Sequence, residues 1–262
     1  MKTNLILLAV VIVFSSFKYD LSGPWNLTRQ ENLVLYTRPE GFSKTPSPDS
    51  ADICKIISAQ LQDIKKVNQM LKTSFNKELR IYLFNYDEAR EKIRTNAGGG
   101  AKVKICEMYF TFNKDLASKM DDFIGMHEIV HIVAGNELGY PSTVLMNEGY
   151  ANAVSNGYKL RLSEDGSIQR TTLEQWMNDF IANNQIIKPS ELLIKSDKIP
   201  EHVFYPQAGY FVKWMMNMYG VETTNTLYTL KPQKLKKKLF LITGKEFNII
   251  EKEYLNYLIN KL

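Results

Sequence analysis

The chain has 262 residues, of which 44% are hydrophobic and 23% charged, with a formal net charge of +5. That composition excludes wholesale disorder, and the length fits one two-lobed domain or two small ones. The basic excess is modest. Its dense cluster, Lys231, Lys234, Lys236, Lys237 and Lys238, reads as a solvated helix face, and no nucleic-acid partner is expected.

At the start, Lys2 precedes an apolar run over residues 5–14, followed by Ser15 and Ser16. A positive start, an apolar run and small residues describe a secretory signal. The run is short of the roughly 20 residues that span a bilayer. Cleavage after Ser15 or Ser16 would leave residues 17–262 as an exported chain, periplasmic or secreted, without a stable membrane span. The alternatives are an uncleaved N-terminal anchor and a buried strand.

Leu33, Val34, Leu35 and Tyr36 then read as a strand. Residues 41–50, with two prolines and three serines, read as a loop. Ile53, Ile56, Ile57, Leu61, Ile64, Val67 and Leu71 recur at helical spacing. A second strand covers 80–84, and a short charged helix 87–94. Gly98, Gly99 and Gly100 break the chain, and 103–112 read as strand. From residue 116 the pattern is helical. One helix runs over 116–134 and stops at Gly135, taken as a C-terminal breaker. Another starts after Pro141 and carries Glu148. Thr171 or Thr172 caps a third, and further helices cover 205–219 and 246–258. The expected class is α+β: a small N-terminal mixed sheet over one helix, in a lobe ending near residue 135, and a helical C-terminal lobe over about 140–262. The two cysteines, Cys54 and Cys106, sit in apolar patterns and read as buried free thiols, with a disulfide as the alternative.

The chemistry concentrates in His127-Glu128-Ile129-Val130-His131. Two histidines four apart on a helix face the same way, one turn apart, and together can bind one tetrahedral zinc ion. Glu128 is turned by about 100° from His127, beside a metal and not on it, where it can act as general base toward an activated water. Two of the three histidines in the chain are used here. A buried histidine pair without a metal would need other partners for its nitrogens. A catalytic zinc keeps three protein ligands and one open position. Glu148, 17 residues after His131 in Leu145-Met146-Asn147-Glu148-Gly149-Tyr150-Ala151, is the candidate third ligand. Gly135, Gly139 and Pro141 let the chain reverse between them.

The stretch over 127–151 resembles the gluzincin metallopeptidases, the group of thermolysin and aminopeptidase N, and is most similar to their compact peptidase-MA-like members. The resemblance implies a single zincin-like domain, a zinc cofactor and a peptide or protein substrate. It implies that the strand before the zinc helix is a sheet edge that pairs with substrate. It also implies that the helix carrying Tyr205-Pro206-Gln207-Ala208-Gly209-Tyr210 supplies a catalytic tyrosine. Tyr205 is the candidate to donate to an oxyanion, with Tyr210 and His202 as rivals; His202 otherwise reads as a surface residue. Asn152, one turn past Glu148, reads as a helix-surface residue, with a ligand-orienting role as the alternative. The chain departs from the aminopeptidase pattern in lacking a Gly-x-Met-Glu-Asn motif. Two rivals stand beside the peptidase: a non-catalytic zinc-stabilised binding module, and a zinc amidase acting on cell-wall peptides.

Overall fold

A computed structural model describes residues 21–92, 99–119, 124–156, 160–162, 168–194 and 199–260. The expected signal segment lies outside them, as do Arg94, Gly98 and Phe123. The fold is α+β, with a five-stranded mixed sheet in the first half and helices through the second. Strands β1 (Asn26–Gln30), β2 (Leu33–Thr37), β3 (Leu79–Asn85), β4 (Gly99–Lys102) and β5 (Glu107–Phe112) take the spatial order β1-β2-β3-β5-β4. β2, β3 and β5 run parallel, whereas β1 and β4 are antiparallel edges.

Strand alternation sorts the sheet's two faces. Leu33, Leu35, Leu79, Ile81, Leu83, Met108, Phe110 and Phe112 enter the main core. Tyr82, Phe84 and Tyr109 form a second cluster with Trp25 and Tyr36 on the opposite face. The first face is covered by α1 (Ser50–Leu71) and α4 (His127–Glu137), which touch each other. α1 is opened by a capping box in which Asp49 and Asp52 each accept the other's backbone N–H. α2 (Tyr86–Lys92) contributes Ala89 to the second cluster. α3 (Lys114–Lys119) follows β5.

Past α4 come α5 (Val144–Ser155), a hairpin of β6 (Leu160–Leu162) and β7 (Ile168–Arg170), α6 (Leu173–Ala182), α7 (Pro189–Leu192), α8 (Glu201–Tyr219), α9 (Val221–Asn225), α10 (Pro232–Thr243) and α11 (Phe247–Ile259). α8 is the hub of this half, packing on α5, α6, α7 and α9. Thr172 caps α6, reciprocally with Gln175. None of the described helices is long and apolar enough to cross a membrane.

Four expectations need correction. The helix read over 116–134 is not continuous: residues 124–126 are non-helical, Gly125 takes φ +74°, and α4 begins at His127. Apolar periodicity ran through a break that only backbone dihedrals reveal. Gly135 does not end that helix, which continues to Glu137. Its role is contact, because a β carbon there would lie 2.3 Å from Cγ1 of Val103. The stretch 103–112 is not one strand. A 3-10 turn, Val103–Ile105, ends with Cys106 at φ +50°, and β4 folds back antiparallel on β5, so Gly99 and Gly100 lie inside an edge strand. Finally, Cys54 is exposed and only Cys106 is buried; both are free thiols.

Candidate metal centre

α4 and α5 carry the donor atoms. α4 is buried along Ile129, Val130, Ile132 and Val133, which fixes which way its remaining side chains face. His127 and His131, one turn apart, project together on the other side. Leu138, Gly139 at φ +100° and Pro141 then reverse the chain. Thr143 opens α5 by accepting from the Met146 N–H at 3.1 Å. That reversal lays Glu148 beside the two imidazoles.

The three donors converge. The two Nε2 atoms of His127 and His131 are 3.2 Å apart. Oε2 of Glu148 is 3.4 Å from the first and 3.7 Å from the second. A tetrahedral zinc with bonds of about 2.0–2.2 Å has donor–donor edges of roughly 3.3–3.6 Å. The cluster therefore already has the size of one face of a zinc tetrahedron, and its donor set, two imidazoles and a carboxylate, is one that zinc takes. The side chains keep 20% (His127), 10% (His131) and 13% (Glu148) exposure, so the open side of the cluster reaches solvent.

The electrostatics ask for a cation. Burial opposes a charged His131, but the adjacent Glu148 carboxylate outweighs it and raises the imidazole to about 9. Burial likewise opposes the Glu148 anion, yet His131 and His127 hold its carboxyl far below the usual range. Without a metal the group keeps its balance by holding a proton. A divalent cation can take that proton's place.

Around the donors, Asn147 donates from Nδ2 to Oε1 of Glu148 at 2.9 Å, which fixes the oxygen not shared with the histidines. Sequence reading did not single it out, since a polar residue beside a ligand has no period of its own. Asn152 corrects an expectation: it is 8% exposed, not on the surface. Its Nδ2 donates to the backbone oxygen of Glu148 at 2.8 Å, and it packs beneath Gly209. A β carbon at Gly209 would fall 2.5 Å from that of Asn152, and one at Gly149 would fall 2.7 Å from Cγ2 of Val212. Two glycines facing in opposite directions thus let α5 and α8 touch backbone to backbone.

That contact brings α8 to the cluster. Tyr205 is half-buried, and its hydroxyl is held neutral first by burial, then by the charges of Glu148, Glu201 and Glu128. Glu128, half-buried in the first turn of α4, acts electrostatically on both His131 and Tyr205. The structure therefore draws together His127, His131 and Glu148, with the Glu128 charge felt at His131 and the Glu148 charge felt at Tyr205. It does not bring in the two rivals. Tyr210 is turned onto the opposite side of α8, against Tyr257 and a small pocket with Glu174 and Lys213, and His202 is exposed. Tyr228, buried edge-on to Tyr150 at 4.7 Å, also feels the Glu148 charge. It lies 80 residues beyond Glu148, and nothing in its sequence neighbourhood announces this position. No protein-family model matches the chain and no curated protein matches its sequence, so its chemistry has to be read from these side chains.

Proposed function

We propose that the chain is an exported zinc-dependent peptidase with a zincin-like fold of the gluzincin kind. The observation that carries this reading is the convergence of His127, His131 and Glu148 at 3.2, 3.4 and 3.7 Å, with Glu128 beside them and not among them. A site that is only structural usually closes with a fourth protein ligand and has no use for an adjacent base.

Zinc bound here would supply a Lewis acid and lower the pKa of a coordinated water toward about 7. The protein's residues supply the rest. Neutral imidazoles of His127 and His131 and the Glu148 carboxylate hold the ion, and Asn147 keeps that carboxylate oriented. The Glu128 carboxylate takes the proton of the attacking water and delivers it to the leaving amine nitrogen. Tyr205, whose hydroxyl stays protonated, donates to the oxygen that gains charge on the scissile carbonyl. β4, an antiparallel edge strand close to α4, offers a sheet edge along which an extended peptide can lie. The apolar run over residues 5–14 supports export.

The test pairs two substitutions, read by zinc content and by cleavage of a broad library that includes cell-wall peptides. Wild type should hold about one zinc per chain. Glu128→Gln should keep it and lose about 10²- to 10⁴-fold in rate. Glu148→Gln should lose zinc itself, since a neutral amide oxygen is a poorer ligand than a carboxylate. A zinc-loaded wild type that cuts nothing would turn the reading toward a binding module. Cleavage confined to cell-wall peptides would select the amidase. A Glu128→Gln variant as active as wild type would refute the mechanism.

A further inference from the structure

Between Glu222 and Glu246 the chain has no aspartate or glutamate and six lysines, Lys231, Lys234, Lys236, Lys237, Lys238 and Lys245. Five of them sit on or just before α10. Leu235 and Leu239 seat this helix on the core. Its solvent side is not simply polar. Phe240 (43% exposed), Leu241 (68%) and Ile242 (39%) follow one another at its C-terminal end, and Lys231, Lys234 and Lys237 are exposed toward its N-terminal end. Ile249, 41% exposed, follows in the first turn of α11, which packs on α10.

This arrangement works against the helix that carries it. Lys231 is the N-cap and Lys234 lies in the first turn, at the end of the helix dipole that disfavours cations, and no acidic residue offsets them there. Lys234 faces Lys237 and Lys238 at three and four residues, spacings at which like charges repel. Among the described residues no carboxylate pairs with Lys231, Lys234, Lys237 or Lys238. Three large apolar side chains in water add a further cost. Solubility alone would be served by mixed charges and no exposed phenylalanine here.

We propose that α10 docks on an anionic lipid surface, with Phe240 and Leu241 entering the headgroup region and the lysines facing the lipid charge. A basic helix with an apolar wedge has the chemistry of an interfacial anchor, and lysines near an anionic leaflet contribute about fivefold each in partitioning. Single-stranded nucleic acid fits less well. Its binders combine basic grooves and arginine with stacking aromatics, whereas this run has no arginine and its most exposed apolar side chain is aliphatic. The inference rests on α10 and α11 and is independent of the metal centre.

The experiment is co-sedimentation of the full chain with vesicles of phosphatidylcholine, with or without phosphatidylglycerol. Binding is expected only to the anionic vesicles, and it should fall as salt shortens the Debye length from about 10 Å at 0.1 M toward 3 Å at 1 M. Lys231→Gln, Lys234→Gln and Lys237→Gln together should weaken it about 100-fold. Phe240→Ser with Leu241→Ser should weaken it about tenfold or more. All these side chains are exposed, so the circular dichroism should not change. Three results overturn the proposal: equal binding to neutral vesicles, salt-insensitive binding, or equal binding by the lysine variant, which would transfer it to residues 5–14. Capture by poly(U) or polyglutamate that needs the lysines but not Phe240 and Leu241 overturns it in favour of a different partner.

Discussion

Among the described residues, the Arg38–Glu88 cluster and the His127–His131–Glu148 cluster are built on opposite logic. In the first, Arg38 and Glu88 sit on the aromatic face of the sheet, 1% and 7% exposed. The Arg38 guanidinium donates from Nε to both carboxylate oxygens of Glu88 at 2.9 and 3.0 Å. It donates from Nη1 to the Pro24 carbonyl at 2.9 Å and from Nη2 to the Ser22 carbonyl at 2.8 Å. It also lies 3.6 Å over the Trp25 ring. The charge and each of the three guanidinium nitrogens find partners within the chain. In the second, Nε2 of His127, Nε2 of His131 and Oε2 of Glu148 lie within 3.7 Å of one another, and the adjacent imidazoles hold the buried carboxylate ionised. The first cluster is closed and holds a segment in place. The second keeps an exposed side, and on the proposed function it would take a cation there. Burial and charge are common to both, so neither marks function; what differs is whether the polar groups are spent on partners within the chain or gathered around one point.

Removing half of the closed cluster should cost most. Arg38→Met strands a buried carboxylate, for which about 3–5 kcal/mol of lost stability is expected. The zinc content of the protein that remains folded should be unchanged. Urea unfolding with parallel metal analysis checks both, and a loss below 1 kcal/mol would mean that the pair is not the lock described above. The open cluster should respond to solution conditions instead. Raising free zinc to 100 times its dissociation constant should add about 2.7 kcal/mol to wild type and nothing to His131→Ala, as read from melting curves with and without chelator. If His131→Ala gains as much, the ion binds elsewhere. The smallest effect sharpens the comparison from within. Asn147→Ala leaves all three donors in place but frees Oε1 of Glu148, and zinc affinity should fall about 10- to 100-fold while urea stability of the metal-free protein hardly moves. Competition with a chromogenic chelator measures it.

What could be read in advance divides along the same physical line. The histidine pair was legible because helical geometry turns a spacing of four into proximity, and Glu148 because the intervening glycine and proline force a reversal. Strands β2 and β3 were legible as short apolar runs, and helix α1 because its apolar residues recur at the helical period. What escaped depends on backbone sign or on distant partners. The turn at Cys106 (φ +50°) uses a residue with no turn preference, and the break at Gly125 hides in an apolar stretch. Gly135, Gly149 and Gly209 are contact points, and which backbone each one meets is a property of the packed molecule. Asn147 and Tyr228 matter through a neighbour, and no pattern along the chain records that.

The short reversal between α4 and α5 also bears on the order in which the site is assembled. The two histidines and Glu148 span 22 consecutive residues, whereas Tyr205 follows 57 residues after Glu148. Loop-closure entropy rises with the logarithm of length, and local contacts form earlier and faster than remote ones. A chain emerging N-terminus first therefore presents the complete ligand set before α8 exists to meet it. On the proposed function, metal capture and completion of the oxyanion site would be separate events, the first local and the second waiting on the two-glycine contact between α5 and α8. A nascent or truncated chain could hold the ion while still lacking the tyrosine.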